Sequence, residues 1–309
     1  MDFLDLLTST SARALAFSTP LLWAALGEIY AERAGVVNLG VEGMMILGAV
    51  AGFIVGQTSG SPLLGLVLAA GVGGVAALVH AFIAVTLRAN QYVSGLALTI
   101  FGLGLSGLLG REWVGQPLVN SMTFVTVPVL SEVPVLGPVL FTDQYLLTYA
   151  GLVAAALLWF VLHHTRLGMT LRTVGEAPVA ADVAGINVMA VRYGAVAFGG
   201  VMAGIAGAYL SVAYRPSWGE GMTNGMGWIA LAMAIFALWD PLRAVGAAFL
   251  FGAFFTLSFR LQNVFPPELL TLMPYVFTIV ALTLVALGKG ARSFGAPAAL
   301  GQPYQRGER

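Results

Sequence analysis

The chain is a succession of apolar runs of about 20 residues, the length a helix needs to cross the hydrocarbon of a bilayer. Tyr145–Leu162 and Tyr193–Tyr214 are two of them. Charge is too scarce for a soluble surface: 59% of the residues are hydrophobic and 9% are charged, against about 25% charged in a soluble domain. The alternation with period two that marks an outer-membrane barrel is absent. The chain therefore reads as an all-α polytopic membrane protein. It has no cysteine, which removes disulfides, thiolate chemistry and thiol-ligated metals. Its formal net charge is zero and gives no case for nucleic acid. Met1–Thr10 carries Asp2 and Asp5 and no basic region, which predicts no cleaved secretory signal.

Nine spans are expected, at roughly 11–27, 36–57, 62–87, 91–110, 143–163, 192–213, 226–240, 243–260 and 268–288. Together they form one transmembrane domain over 1–290, followed by a basic tail at 291–309 that is expected to be disordered. The seventh span is short and preceded by Gly219, Gly221 and Gly225, so it is expected to be broken or partly re-entrant. Basic residues concentrate on the cytoplasmic side. Placing 165–192 in the cytoplasm puts ten of the 14 Lys and Arg inside, leaving Arg13, Arg111, Arg215 and Arg260 outside. The N-terminus is then outside and the C-terminus cytoplasmic.

Between the fifth and sixth spans lies the polar segment Thr165–Arg192. Pro178 stands where a helix would begin and Gly185 where one would end. The spacing predicts a two-turn helix over Pro178–Ala184. Glu176 lies just ahead of it, facing the positive end of the helix dipole. Val179 and Val183 share one face, with Asp182 pointing elsewhere. Two isolated turns are not stable in water, so such a helix makes sense if something docks on it.

Polar residues inside the spans are few. Glu28–Arg33 is expected as a tight charged loop, after which Asn38 and Glu42 share a helix face in or near the membrane. Glu42 either pairs, with Arg33 as one partner, and fixes packing, or it lines a polar pathway with Asn38. Gln91 and Ser94 open the fourth span and could bond a solute or a neighbouring helix; Trp228 is a further candidate for solute contact. Glycines in the spans permit close helix approach. Residues 111–142, rich in proline, predict a structured external loop with short strands. Trp218 is expected as an interfacial anchor. Asp240 is expected to cap the helix that starts at Pro241.

Catalytic machinery is missing. There is no phosphate loop, no H-E-x-x-H and no catalytic triad pattern, so no catalytic residue and no metal site is assigned. The chain has the look of a pathway whose energy comes from another subunit.

The run L-G-E-I-Y-A-E-R-A-G-V-V-N-L-G-V-E-G-M-M (Leu26–Met45) resembles a signature of bacterial ABC-importer permeases of the nucleoside branch, within the branched-chain amino acid/ribose permease superfamily. The stretches Val174–Ile186 and Gly225–Ala244 agree with it in order and spacing over 20–290. The resemblance implies a coupling helix that rests in a groove of an ATPase subunit. It assigns Gly175, Glu176, Pro178, Ala180, Ala181, Asp182 and Gly185 to coupling. Ala177 departs from the family pattern, which often has asparagine there. The resemblance further implies ATP and Mg²⁺ held by the partner ATPase and not by this chain. A second, homologous permease in a heterodimer and an external nucleoside-binding lipoprotein are also implied, in the bacterial cytoplasmic membrane. Within that frame Asn38, Glu42, Gln91, Ser94 and Trp228 are the candidates for the substrate pathway. A permease for a sugar or branched-chain amino acid, and an ATP-independent transporter, are the alternatives.

Overall fold

A computed structural model describes residues 3–263, 265, 266, 269, 272, 273, 276–280, 283, 287 and 295–305. Ten helices are described: α1 Phe3–Arg33, α2 Val41–Ser59, α3 Pro62–Ala81, α4 Gln91–Gly110, α5 Leu146–His164, α6 Arg166–Glu176, α7 Pro178–Val183, α8 Val188–Tyr209, α9 Met226–Phe236 and α10 Pro241–Arg260. Strands β1 (Phe124–Val125) and β2 (Gln144–Tyr145) pair antiparallel, β1 within the structured loop expected at 111–142 and β2 just beyond it, at the expected start of the fifth span. Among the described residues, seven helices are long and apolar enough to cross a membrane, and Met226–Phe236 is a shorter apolar one. The protein is an all-α polytopic membrane protein. Of the expected ninth span, 268–288, eleven of the 21 residues lie outside the described residues.

The helix ends follow the sequence chemistry. Ser61 caps α3 ahead of Pro62, the Asn90 side chain accepts the Tyr92 and Val93 amides at α4, and Asn187 accepts the Ala190 amide at α8. Asp240 caps α10 as expected, accepting from Leu242 and Arg243 at 3.0 Å each. The bundle is organised on α8, which packs against α1, α2 and α3. Glycine makes this closeness possible: a Cβ on Gly207 would run into the Met45 carbonyl of α2, and one on Gly200 into Gly73 of α3.

Three expectations are corrected. Glu28–Arg33 is no loop: α1 continues through it, because the carboxylates of Glu28 and Glu32 find partners inside the protein. Trp218 is no interfacial anchor. It is 1% exposed and packs with Phe53, Val212 and Leu118, where the bare backbone of Gly110 leaves room for its indole. Residues 295–305 are not the disordered tail expected. They are stitched to the polar face of the bundle by backbone hydrogen bonds.

Candidate functional site

The chain between α1 and α2 is unwound, and its backbone needs partners inside the bundle. Glu28 Oε1 accepts the Asn38 amide at 3.1 Å, and Gln91 Oε1 accepts the Val37 amide at 2.9 Å. His80 Nε2 lies 3.1 Å from the Val37 carbonyl while its Nδ1 meets Ser94 Oγ at 3.0 Å. Thr99 donates to the Leu39 carbonyl at 2.9 Å, and Asn38 Oδ1 accepts the Gly40 amide at 2.9 Å. Three of the predicted pathway residues, Asn38, Gln91 and Ser94, are thus brought together, all buried. What they hold is their own elbow. His80, Glu28 and Thr99 were missed: His80 and Thr99 stand singly in apolar runs, Glu28 reads as part of a charged loop, and each bonds the elbow backbone.

Glu42 is placed elsewhere. It is 3% exposed and does not pair with Arg33. Oε1 accepts from Thr223 Oγ1 at 2.6 Å and from the Gly225 amide at 2.9 Å, and Oε2 accepts from the Gly227 amide at 2.7 Å. Gly225 and Gly227 stand at the start of α9, so the carboxylate closes free N–H groups at the positive end of that helix. Gly227 sits directly on the α2 backbone, where a Cβ would meet Val41 and Glu42. With 11 residues, α9 is about 16 Å long, half of a hydrocarbon core of about 30 Å. Trp228 follows on this helix, 43% exposed, and no hydrogen bond joins it to the elbow residues.

The far end of α9 is held by the last turn of α1. Leu238 and Trp239 form a left-handed turn, with φ of 55° and 53°. Arg33 donates to both their carbonyls, at 3.3 and 3.1 Å, and the Trp239 indole donates to Glu32. Helix α9 is therefore anchored by α2 at its start and by α1 at its end.

The predicted two-turn helix is present as α7, Pro178–Val183, with Pro178 at its first turn and Gly185 at φ 84° beyond it. Ala177 precedes it without a side-chain cap. The seven residues assigned to coupling divide by burial. Ala181 packs inward with Val174 and Val188, and Gly175 lies so close to the Arg33 carbonyl that a Cβ would clash. Glu176, Ala180 and Gly185 are exposed, and Pro178 and Asp182 are half-buried. The two valines were not among the seven, yet Val179 is 51% and Val183 85% exposed. An unpartnered apolar pair on a helix too short to stand alone is a docking face in form.

Behind this face runs the C-terminal strap. The Ala299 amide donates to Gly175 O at 2.9 Å and the Gly301 amide to Gly35 O at 3.1 Å. Glu176 Oε2 accepts the Ala298 amide at 3.2 Å. Buried Arg192 donates to Ala34 O at 3.2 Å and Gln302 O at 3.0 Å. The strap thereby joins the α6–α7 junction, the α1–α2 elbow and α8.

Most of the buried polar groups serve the chain's own backbone, and the short polar-face helix is left uncovered; this is the make-up of a multi-pass membrane transport subunit. The chain belongs to the family described as branched-chain amino acid transport system / permease component, which it matches over residues 11–282, and with it to the permeases of ABC importers. It is 38% identical, over 94% of this chain and 95% of the relative, to a candidate glucose ABC transporter permease protein, TsgC13, of Haloferax volcanii. It is 36% identical to the nucleoside ABC transporter permease protein NupC of Lactococcus lactis, with the same coverage. The guanosine ABC transporter permease protein NupQ of Bacillus subtilis is 35% identical over 100% of both chains. No solved structure matches.

Proposed function

We propose that this chain is one permease subunit of an ATP-driven nucleoside importer of the cytoplasmic membrane. The observation that carries this reading is the end-to-end match to NupC and NupQ, joined to the Leu26–Met45 signature. The orientation is N-terminus outside and α7 in the cytoplasm. ATP and Mg²⁺ are held by a partner ATPase, a second permease completes the pore as a heterodimer, and an external lipoprotein delivers the nucleoside. In this reading α7 docks on the ATPase through Val179, Val183 and their neighbours. Closure of the ATPase dimer pushes α7, and the push enters the bundle where Gly175 lies under Arg33. From Arg33 it reaches the left-handed turn at Leu238–Trp239 and so the end of α9. Because Glu42 fixes the start of α9 to α2, α9 pivots and does not slide.

The test is to co-purify the chain with its partners and measure nucleoside-stimulated ATP hydrolysis and uptake in proteoliposomes. Guanosine- or adenosine-driven turnover with an ATPase and second permease present supports the reading. Solute movement by this chain alone without ATP overturns it. The similarity to TsgC13 supports a second reading, a sugar permease with the same mechanism; glucose uptake in place of nucleoside uptake would establish it.

A further inference from the structure

At the end of the bundle remote from α7 is a cavity of about 680 Å³ with a mixed polar and aromatic lining. Its place is fixed by Gln144, whose Nε2 donates to the Ala12 carbonyl of α1 and to Val139 O, both at 3.2 Å. From Ala12 to Arg33, beside Gly175, the helix runs about 32 Å, the depth of a hydrocarbon core. The walls are aromatic: Phe124 and Tyr145, 4.6 Å apart by ring centroids, and Tyr214, itself 6.2 Å from Tyr209. At the rim stand Arg13, Arg215 and Asp143. Neither guanidinium has a hydrogen bond or ion pair among the described residues, although basic residues are expected to be scarce on this side. Gln144 Oε1 is likewise buried without a partner. A smaller recess of about 70 Å³ shares Tyr214 and Arg215 and reaches Asn224 and Met226, at the start of α9 beside the Glu42 anchor.

We infer that this cavity is the outer receiving site for the cargo, and that it takes a purine nucleoside; the inference rests on the nucleoside reading above. Aromatic walls bind a nucleobase by its π-face. The Arg13 and Arg215 guanidinium groups match adjacent acceptors such as O6 and N7 of guanine. Asp143, whose Oδ1 accepts from Thr126 Oγ1 at 3.1 Å, offers its second carboxylate oxygen to a ribose hydroxyl, as acidic residues do in nucleotide-binding folds. A lipid phosphate would also seek the two arginines, but it would face Asp143 across the same cavity and have no use for the rings. The smaller recess, through its shared Tyr214 and Arg215, sets the cavity beside the start of α9, the helix that the coupling route moves.

The test uses the assembled importer in proteoliposomes, with 8-azidoguanosine as photoprobe and guanosine and adenosine as cargo. Label is expected on Phe124, Tyr145 or Tyr214, and free guanosine should compete it away. In the double variant R13Q/R215Q the KM for guanosine should rise about tenfold and that for adenosine by less than about threefold, because adenine presents an amino group where guanine presents O6. Label elsewhere in a complex that takes up guanosine overturns the site and leaves the nucleoside reading standing. An unchanged guanosine KM, with phospholipid lost from R13Q/R215Q, overturns it in favour of a lipid headgroup. Glucose uptake without nucleoside uptake by the unmodified complex overturns both.

Discussion

Glu42 and Gly227, 185 residues apart in the chain, are joined by a 2.7 Å hydrogen bond from the Gly227 amide to the Glu42 carboxylate. An acidic side chain in the membrane is costly unless its charge is matched. Among the described residues no cation pairs with it. The partners are two amides at the start of α9 and the hydroxyl of Thr223, so one carboxylate and one helix end satisfy each other.

Glu42→Ala therefore leaves two buried donors, the Thr223 hydroxyl and the Gly227 amide, and the part-buried Gly225 amide without their acceptor, the buried ones costing about 1–3 kcal/mol each. The expected result is a drop of several degrees in the apparent Tm of the purified protein, with uptake lost. Glu42→Gln keeps one acceptor oxygen and should fall between the two. Equal Tm for all three would mean that Glu42 does not hold α9.

Gly207 of α8 and Gly71 of α3 separate closeness from helix propensity. Gly207→Ala would push α8 off Met45 of α2 and is expected to abolish accumulation of folded protein. Gly71→Ala meets nothing within 4 Å and should be neutral or gain up to about 1 kcal/mol from helix propensity. The folded yield of Gly207→Ala and the thermal melt of Gly71→Ala in detergent check this, and a harmless Gly207→Ala would refute the packing account.

Much of the fold was legible because its causes are local. Apolar length marked the spans, Asp240-Pro241 marked a cap, and Pro178 with Gly185 bracketed α7 to within one residue. Whatever depends on distant partners was not legible. Glu28 and Glu32 look like loop residues until Asn38 and Trp239 are seen to bind them. Trp218 looks like an anchor until Gly110 is seen beneath it. Asn38, Gln91 and Ser94 are recognisable in the sequence as hydrogen-bonding groups, but a sequence does not say whether their partner is a solute or the elbow at Val37–Gly40.

The valine pair on α7 provides a test of docking that spares the fold. Val183 is 85% exposed, so Val183→Asp loses little contact inside this chain, and the Tm of the permease alone should change by no more than a degree or so. If α7 seats in an ATPase groove, the variant gives up a burial of about 1.5–3 kcal/mol, and co-purification of the ATPase should weaken at least about tenfold. Retained ATPase with full uptake would exclude Val183 from the interface. As a companion test, replacing Glu176 and Asp182 with alanine should impair coupled uptake; intact uptake would remove both from coupling.

The strap makes a separate claim about how motion is passed on. Four of its hydrogen bonds join it to Gly175, Gly35, Glu176 and Arg192, worth about 1 kcal/mol each, and Arg192 is buried beneath it. Without the strap, α7 can still meet an ATPase, because its exposed valines are not covered by residues 295–305. The α6–α7 junction would then move without carrying the α1–α2 elbow with it. Ending the chain before Gly295 is therefore expected to leave ATP hydrolysis running while nucleoside uptake per ATP falls several-fold. Proteoliposomes assayed for both quantities decide the matter. Parallel loss of hydrolysis and uptake would show that the strap serves assembly, and an unchanged ratio at full rates would show that Gly175 and Arg33 pass the motion by themselves.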